Sequence, residues 1–369
     1  MVYCPNPKCK HRQHSATAKI CQNCDTSLTL NNCYRLIQPL INLEQFGNTE
    51  LFEVEDQRWV DQPHKCRKVM KILRYNGGDL ERLFKQEASH LQTLDHPAVP
   101  KIYPEDRSDE GYFSISVPAN QQDVYYFVME KIEGFNLRNW IEKHAPIDSS
   151  TLLQWLRELL TVLNYLHKNR IWHRDIKPSN IMLKPDGQLV LIDFGAVKQV
   201  RLHRQEGAEL SNRPDITVTE TGIFSAGYTS PEQMDCKTVQ QSDLYALGRT
   251  CVHLLTKMSP HALKVDDSGQ LTWRHKAPDV SPPLADWIDR LMSPLVCDRP
   301  QTAAQVLGYL HSNRIIPPPK RRVPVWLYLL NLALFVVLII SSVFWWQADQ
   351  RSQPTFDQNQ QSSIFDAKS

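Results

Sequence analysis

The chain has 369 residues, enough for two or three domains, and its 41% hydrophobic and 22% charged content is ordinary for a globular protein. A net charge of +2, with no long basic run, gives no reason to expect nucleic-acid binding. Five of the nine cysteines (Cys4, Cys9, Cys21, Cys24 and Cys33) fall in the first 33 residues, and Met1–Cys4 shows no apolar leader. Reduced, cytosolic thiols are therefore expected, and clustered thiols in that setting more often hold metal than form disulfides.

Residues 1–30 read as a small cysteine unit. The spacing Cys4-x4-Cys9-x11-Cys21-x2-Cys24 offers two knuckles suited to tetrahedral Zn²⁺, and so short a segment lacks the apolar residues to fold unaided. His11, His14 and Cys33 are alternative ligands, and a redox pair is the competing use. A large body follows over residues 34–313. Pro39–Val54, "PLINLEQFGNTELFEV", reads as a strand, a turn at Phe46-Gly47 and a second strand, and "RKVMKIL" as another strand. "GDLERLFKQEASHLQTLDHP" reads as a helix with an apolar stripe of Leu80, Leu83, Phe84, Leu91 and Leu94. Glu87 falls within that stripe, where a carboxylate turned inward needs a partner. "SSTLLQWLRELLTVLNYLHK" has Leu152, Leu156, Leu159, Leu160, Leu163 and Leu166 on one helical face, with Ser149 and Ser150 as candidate caps. "GQLVLIDFG" reads as a buried strand after a Pro185-Asp186-Gly187 turn. Strands first and helices after predict an α+β body of two lobes.

Residues 314–324 form a Pro-rich, basic linker. Val325–Trp346 then runs 22 residues without a charge, enough to span a hydrocarbon core of roughly 30 Å. Trp326, Tyr328, Trp345 and Trp346 mark its ends, and Lys320, Arg321 and Arg322 precede it. The expectation is a single transmembrane helix with everything upstream in the cytoplasm, followed by a short, disordered extracytoplasmic tail over 347–369.

The chemistry concentrates in "WHRDIKPSN", Trp172–Asn180, and in "DFG", which begins thirteen residues later at Asp193. Phosphoryl transfer requires metal ions on the phosphates, a base near the attacking hydroxyl and a cation on the transferring group. Asp175 could be that base, Asn180 and Asp193 the oxygen ligands of Mg²⁺, and Lys177 the phosphate contact.

With these residues, the chain resembles the eukaryotic-like (Hanks-type) protein Ser/Thr kinases of bacteria. "DIKPSN" follows the Ser/Thr rather than the Tyr pattern. The resemblance implies a two-lobed kinase fold that uses ATP with Mg²⁺ (Mn²⁺ as a substitute) to phosphorylate protein Ser/Thr. It implies that Lys71 anchors the ATP phosphates and pairs with Glu87. Met129 would be the gatekeeper, with the backbone of Glu130 and Lys131–Ile132 near adenine. Ser230–Glu232, Asp243 and Arg299 match scaffold positions of the large lobe, Arg299 pairing with Glu232. The cysteine unit resembles zinc ribbons placed ahead of some cyanobacterial kinases. Arg174 would receive a phosphate carried by Thr217, Thr219 or Thr221 on the activation segment, which also holds Ser225, and autophosphorylation in trans would call for a homodimer.

One element departs from the family pattern. The glycine-rich loop falls on Asn42–Gly47, and only Gly47 keeps its glycine. Glu44 would face a polyanion; at about 6 Å and an effective dielectric near 20 that repulsion is about 3 kcal/mol. Weakened rather than abolished ATP binding is expected, with a non-catalytic, kinase-shaped scaffold (a pseudokinase) as the rival reading.

Overall fold

The computed structural model describes residues 1–43, 47–119, 122–195, 198–199, 225–235 and 237–311. Glu44 and Phe46 of the loop, Thr217, Thr219 and Thr221, and the apolar run Val325–Trp346 with its flanks lie outside the described residues. Among those described, no helix is long and apolar enough to cross a membrane.

The strand-rich lobe is one antiparallel sheet, in the order β2-β1-β3-β4-β5-β7-β6. Its strands are β1 (Val2–Tyr3), β2 (Gln13–His14), β3 (Tyr34–Pro39), β4 (Thr49–Asp56), β5 (Arg67–Leu73), β6 (Phe113–Val117) and β7 (Gln122–Glu130). The sequence placed a first hairpin strand from Pro39 onward; instead β3 ends there, after a bulge near Ile37. Proline has no N–H to give to a ladder, and beyond it Leu40 N–H to the Leu51 carbonyl at 2.8 Å continues the pairing.

Successive residues of β5 point to opposite faces. Leu73 and Phe127 join the inner core with Phe84, Ala88 and Leu91. Met70 and Ile72 join Phe52, Val54, Tyr126 and Val128 in an outer core. Both faces of this sheet are therefore apolar, and both need a cover. Helix α2 (Gly78–Thr93) covers the inner one. The outer one lies under the N-terminal unit, through Tyr3, Leu30 and Cys33. The expected α2 stripe is present, but the helix stops at Thr93 because Leu94 takes extended backbone. A four-residue helix, α1 (Pro63–Cys66), precedes β5.

The second lobe is helical: α3 (Leu137–His144), α4 (Ser149–Lys168), α5 (Pro231–Met234), α6 (Gln240–Thr256), α7 (Pro282–Leu291) and α8 (Ala303–His311). Short strands β8 (Phe135–Asn136), β10 (Ile181–Leu183) and β11 (Leu189–Leu191) form one small sheet, and β9 (Ile171–Trp172) pairs with β12 (Lys198–Gln199) in another. The predicted apolar face of α4 is buried, with Trp155 and Val162 added. Its cap is a correction: Asp148, not Ser149 or Ser150, accepts from the backbone N–H of Ser150 and Thr151 at 2.8 and 2.9 Å. A carboxylate also gains from the helix dipole, which a hydroxyl does not. Between the lobes Gly134 holds φ 128°, and a Cβ there would lie 2.0 Å from the Leu183 carbonyl oxygen, so no other residue fits this crossing.

A closed ion network fixes the edge of the strand-rich lobe. Lys68 Nζ donates to Asp56 at 2.8 Å and to Asp106, while Arg58 donates to both carboxylates and to the Tyr34 hydroxyl. Burial resists ionisation of Asp56, yet hydrogen bonds from Arg58 and Lys68 outweigh it and hold its carboxyl below the usual range. Lys68 is 1% exposed, so removing its charge leaves buried carboxylates underpaired. Lys68→Met is expected to destabilise the fold by about 3–5 kcal/mol in urea unfolding followed by tryptophan fluorescence. Adding Asp106→Asn should recover part of that loss. A single variant within about 1 kcal/mol of wild type would show that the network is not holding this edge.

Candidate active site

Charged side chains gather in two clusters. The first is built on β5, α2 and the segment after β11. Lys71 pairs in the sheet with Leu51 and Phe127, and the residue is 5% exposed. Glu87 lies on the same buried stripe of α2 as Phe84, Ala88 and Leu91. The inward carboxylate has the partner that burial demands: Lys71 Nζ donates to its two oxygens at 2.7 and 2.8 Å. Lys71 also donates to Asp193 Oδ1 at 2.9 Å. Burial alone would lower the lysine's pKa, but the Asp193 and Glu87 carboxylates outweigh it and push the pKa up. The Lys71 ammonium in turn holds the Asp193 carboxyl down at about 2, so it is ionised at any working pH.

Asp193 sits at φ 64°, a left-handed conformation costing a non-glycine residue of order 1–3 kcal/mol. Its neighbours hold it there: the Phe194 N–H donates to Glu87 Oε1 at 3.2 Å, and the Phe194 ring is buried edge-on against His173 at 4.9 Å. Gly195 completes the turn because a Cβ would come within 3.3–3.4 Å of Glu87, Asp193 and Lys71 atoms together.

The second cluster is the segment from His173 to Asn180. Its backbone is held from below by Asp243 on α6, which accepts from the N–H of His173 at 3.0 Å and of Arg174 at 2.7 Å, and from the His167 ring at 2.9 Å. Those bonds maintain Arg174 at φ 68°. His173 is fully buried, which lowers its pKa and keeps the ring neutral, and Nε2 meets the Ile192 carbonyl at 3.3 Å. Asp175 is thereby held within this segment, 7% exposed. Lys177 Nζ donates to Asp175 Oδ2 at 2.7 Å; Asn180 Nδ2 donates to the same oxygen and to the Asp175 carbonyl, both at 2.9 Å. The Ile192 N–H donates to the Asn180 carbonyl at 2.8 Å, joining this segment to the residue before Asp193.

Ser225 is the residue whose role sequence reasoning missed. Counted on the activation segment beside the threonines but given no role there, it donates from Oγ to Asp175 Oδ1 at 2.7 Å and accepts from Lys177 Nζ at 2.8 Å. A phosphate on that oxygen would press against a carboxylate. The spacing of Ser225 before "SPE" was its only signal. The Glu232–Arg299 pair expected in the large lobe is present: Arg299 donates to the two carboxylate oxygens at 2.7 and 2.9 Å, its side chain fully buried.

The remaining predicted positions line the junction of the lobes. Met129 packs on the inner core and faces Val69 across the ladder. The Glu130 N–H donates to the Lys101 carbonyl at 2.7 Å, which turns that N–H away from the cleft. Lys131 pairs with Glu53 and Glu133 at 3.3 and 3.0 Å, and Ile132 is half-buried beside it. Gly47 is exposed at the foot of β4.

At the N-terminus, the Sγ atoms of Cys4, Cys9, Cys21 and Cys24 all lie within 4.8 Å of one another, with 3.5 Å from Cys4 to Cys24 and 3.6 Å from Cys9 to Cys21. Zn–S bonds of about 2.3 Å in a tetrahedron imply sulfur separations of roughly 3.8 Å, so the four thiols fit such an ion. Burial pushes the Cys4 and Cys21 thiols up; it also opposes ionisation of Cys24, but there hydrogen bonds from Thr26 and Asn6 prevail and bring its pKa to about 6. Among the described residues His11, His14 and Cys33 do not join this cluster.

A family model described as the protein kinase domain matches residues 57–309, beginning just after the β3–β4 hairpin that carries the loop. Serine/threonine-protein kinase B of Synechocystis sp. is 33% identical over 321 residues, 84% of this chain and 52% of that protein. Serine/threonine-protein kinase F of the same organism is 38% identical over 239 residues, 63% of this chain and 45% of that protein. Serine/threonine-protein kinase PknA of Nostoc sp. is 34% identical over 300 residues, 79% and 49% respectively. The chain spans about half the length of the curated relatives it matches. With the match covering most of the chain and the two clusters assembled beneath it, the chain belongs to the protein kinase domain family.

Proposed function

We propose that this chain is a membrane-anchored Ser/Thr protein kinase that transfers the γ-phosphoryl group of ATP to hydroxyls of protein substrates. The observation that carries this reading is the joining of Lys71, Glu87 and Asp193 in one cluster and of Asp175, Lys177 and Asn180 in the other. Bound Mg²⁺ would neutralise the phosphates, and Asp193 and Asn180 supply the hard oxygens suited to it. Lys71 is held charged to contact the phosphates, with Glu87 fixing its direction. Asp175, restrained at both oxygens, orients the attacking hydroxyl and takes its proton, while Lys177 steadies the transferring group. The Glu130 carbonyl and the Ile132 backbone are the groups left for adenine. The relatives named above are called serine/threonine-protein kinases, and no observation favours the non-catalytic scaffold.

The four cysteines would hold one Zn²⁺, which fastens a unit too small to fold on its own apolar content. Membrane anchoring rests on the uncharged stretch Val325–Trp346 and the basic residues before it. Activation through phosphorylated Thr217, Thr219 or Thr221 docking on Arg174, and homodimers that phosphorylate in trans, complete the reading.

Transfer of γ-labelled phosphate by the purified chain is the direct test. Asp175→Asn should lower kcat by about 10²–10⁴-fold with nucleotide affinity little changed; undiminished transfer would remove Asp175 from its role. Elemental analysis after reduction should find one zinc per chain, and Cys21→Ser with Cys24→Ser should abolish it. A zinc content near zero in folded, reduced protein rejects the ribbon. Cells expressing the chain should retain it in the membrane pellet after alkaline carbonate washing, and deletion of residues 325–346 should release it.

A further inference from the structure

The phosphate loop is held at both ends by one residue. Arg74, just past β5, donates its backbone N–H to the Asn48 carbonyl at 2.9 Å, on the exit side of the loop, and its side chain to the Leu43 carbonyl, on the entry side. Its Nε also donates to Glu50 Oε1 at 3.1 Å. Glu50 lies on the outer face of β4, 2% exposed, and receives a second guanidinium: Arg12, from the N-terminal unit, donates to its two oxygens at 2.8 Å each. Arg12 also lies over the Phe52 ring, 5.2 Å from its centroid. Its Nε donates to the Cys4 carbonyl at 3.0 Å, and the Cys4 N–H donates to the Arg12 carbonyl at 2.7 Å. An unbroken series of hydrogen bonds therefore leads from a cysteine of the four-thiol site to both ends of the phosphate loop.

Each link is buried or nearly so, with the Arg12 and Arg74 side chains each 11% exposed. Buried, charge-assisted and bidentate contacts resist solvent screening and tolerate little displacement. Rotation of Arg12 leaves Glu50 with Arg74 alone, and Arg74 cannot follow Glu50 without releasing the Leu43 carbonyl. Two arginines and one glutamate also carry a net charge of +1 at the root of the loop, the sign that favours a triphosphate.

We propose that Arg12, Glu50 and Arg74 are positioning residues that couple the four-cysteine site to the phosphate loop, so that metal occupancy at the N-terminus sets the affinity for nucleotide. This rests on the kinase reading given above. The four thiols keep Cys4 in place when a metal ties them; without it, the thiols are free to separate, and the carbonyl that anchors Arg12 moves with Cys4.

The test measures binding of Mg²⁺ with a non-hydrolysable ATP analogue by calorimetry, on the full chain in detergent, together with KM for ATP and kcat. Arg12→Met should weaken nucleotide binding and raise KM by about tenfold, the size of one lost charge-assisted contact, with kcat within twofold. Arg12→Lys should restore part of the affinity. Chelation of zinc from the wild type should weaken binding by the same factor, yet leave Arg12→Met unchanged, since the link is already cut. Arg74→Met, which leaves the ribbon untouched, should weaken binding equally with zinc content at the wild-type level, and it serves if Arg12→Met does not fold. Wild-type affinity in both variants, or a chelation effect of equal size in wild type and Arg12→Met, overturns the coupling while leaving the kinase reading intact. Wild-type protein that binds no nucleotide overturns both.

Discussion

A sheet with apolar side chains on both faces must be covered twice, and the strand-rich lobe is organised around that requirement. The period of two along β5 sends Lys71 and Leu73 to one face and Met70 and Ile72 to the other. Once Lys71 is committed to the cleft, Phe52, Val54, Tyr126 and Val128 have no choice but the opposite side. Water cannot be left against them: each side chain of that size is worth about 1.5–3 kcal/mol on burial. The N-terminal unit provides the cover and adds β1 and β2 to the edge of the same sheet. A unit that reads in sequence as a separable module is in this way part of the wall behind Lys71.

The opposite face shows the same logic applied to charge. Lys71, Glu87 and Asp193 are one cation between two anions, and Asp175 is shared among Lys177, Asn180 and Ser225. Inside a lobe the effective dielectric is far below that of water, so each group is stabilised only while its partners keep their places. The left-handed backbone at Arg174 and Asp193 is the conformational cost of this arrangement, offset by buried bonds to Asp243 and Glu87. Asp243 is itself held below the usual carboxylate range: burial resists its ionisation, but the bonds from His167 and from the loop N–H groups prevail. The large lobe thus contributes a charged support beneath the segment that presents Asp175.

What could be read from the sequence followed from periodicity and from the rarity of certain residue combinations. The α4 face, the inward Glu87 and the segments at His173 and Asp193 all belong to that class. Glu87 was legible because a carboxylate within an apolar stripe has few physical excuses. The end of β3, the Asp148 cap and the role of Ser225 were not legible, because each is decided by competition between near neighbours of similar chemistry. Asp148, Ser149 and Ser150 can all accept an N–H, and only the backbone path settles which one does. Arg12, Glu50 and Arg74 were invisible for another reason: they are 38 and 24 residues apart in sequence, and ordinary charged residues carry no pattern until the chain folds.

The departure of the loop from a glycine-rich pattern can now be weighed against what surrounds it. Replacing glycine by another residue at a compatible position restricts the free chain and favours order by roughly 0.4–1 kcal/mol, while a residue that resists the required backbone costs at least as much. These terms are small and oppose one another. The carboxylate of Glu44 is the larger quantity, about 3 kcal/mol if it stood near 6 Å from a phosphate at a dielectric of 20. Arg74 ties Leu43 and Asn48, the residues on either side of that stretch, and order set at those two positions before binding is entropy that a free glycine loop loses only on binding. The guanidinium also brings positive charge to the same place. Anchoring and charge at Leu43 and Asn48 therefore oppose the penalty that Glu44 would carry, while Lys71 and Asp193 stay joined in the first cluster.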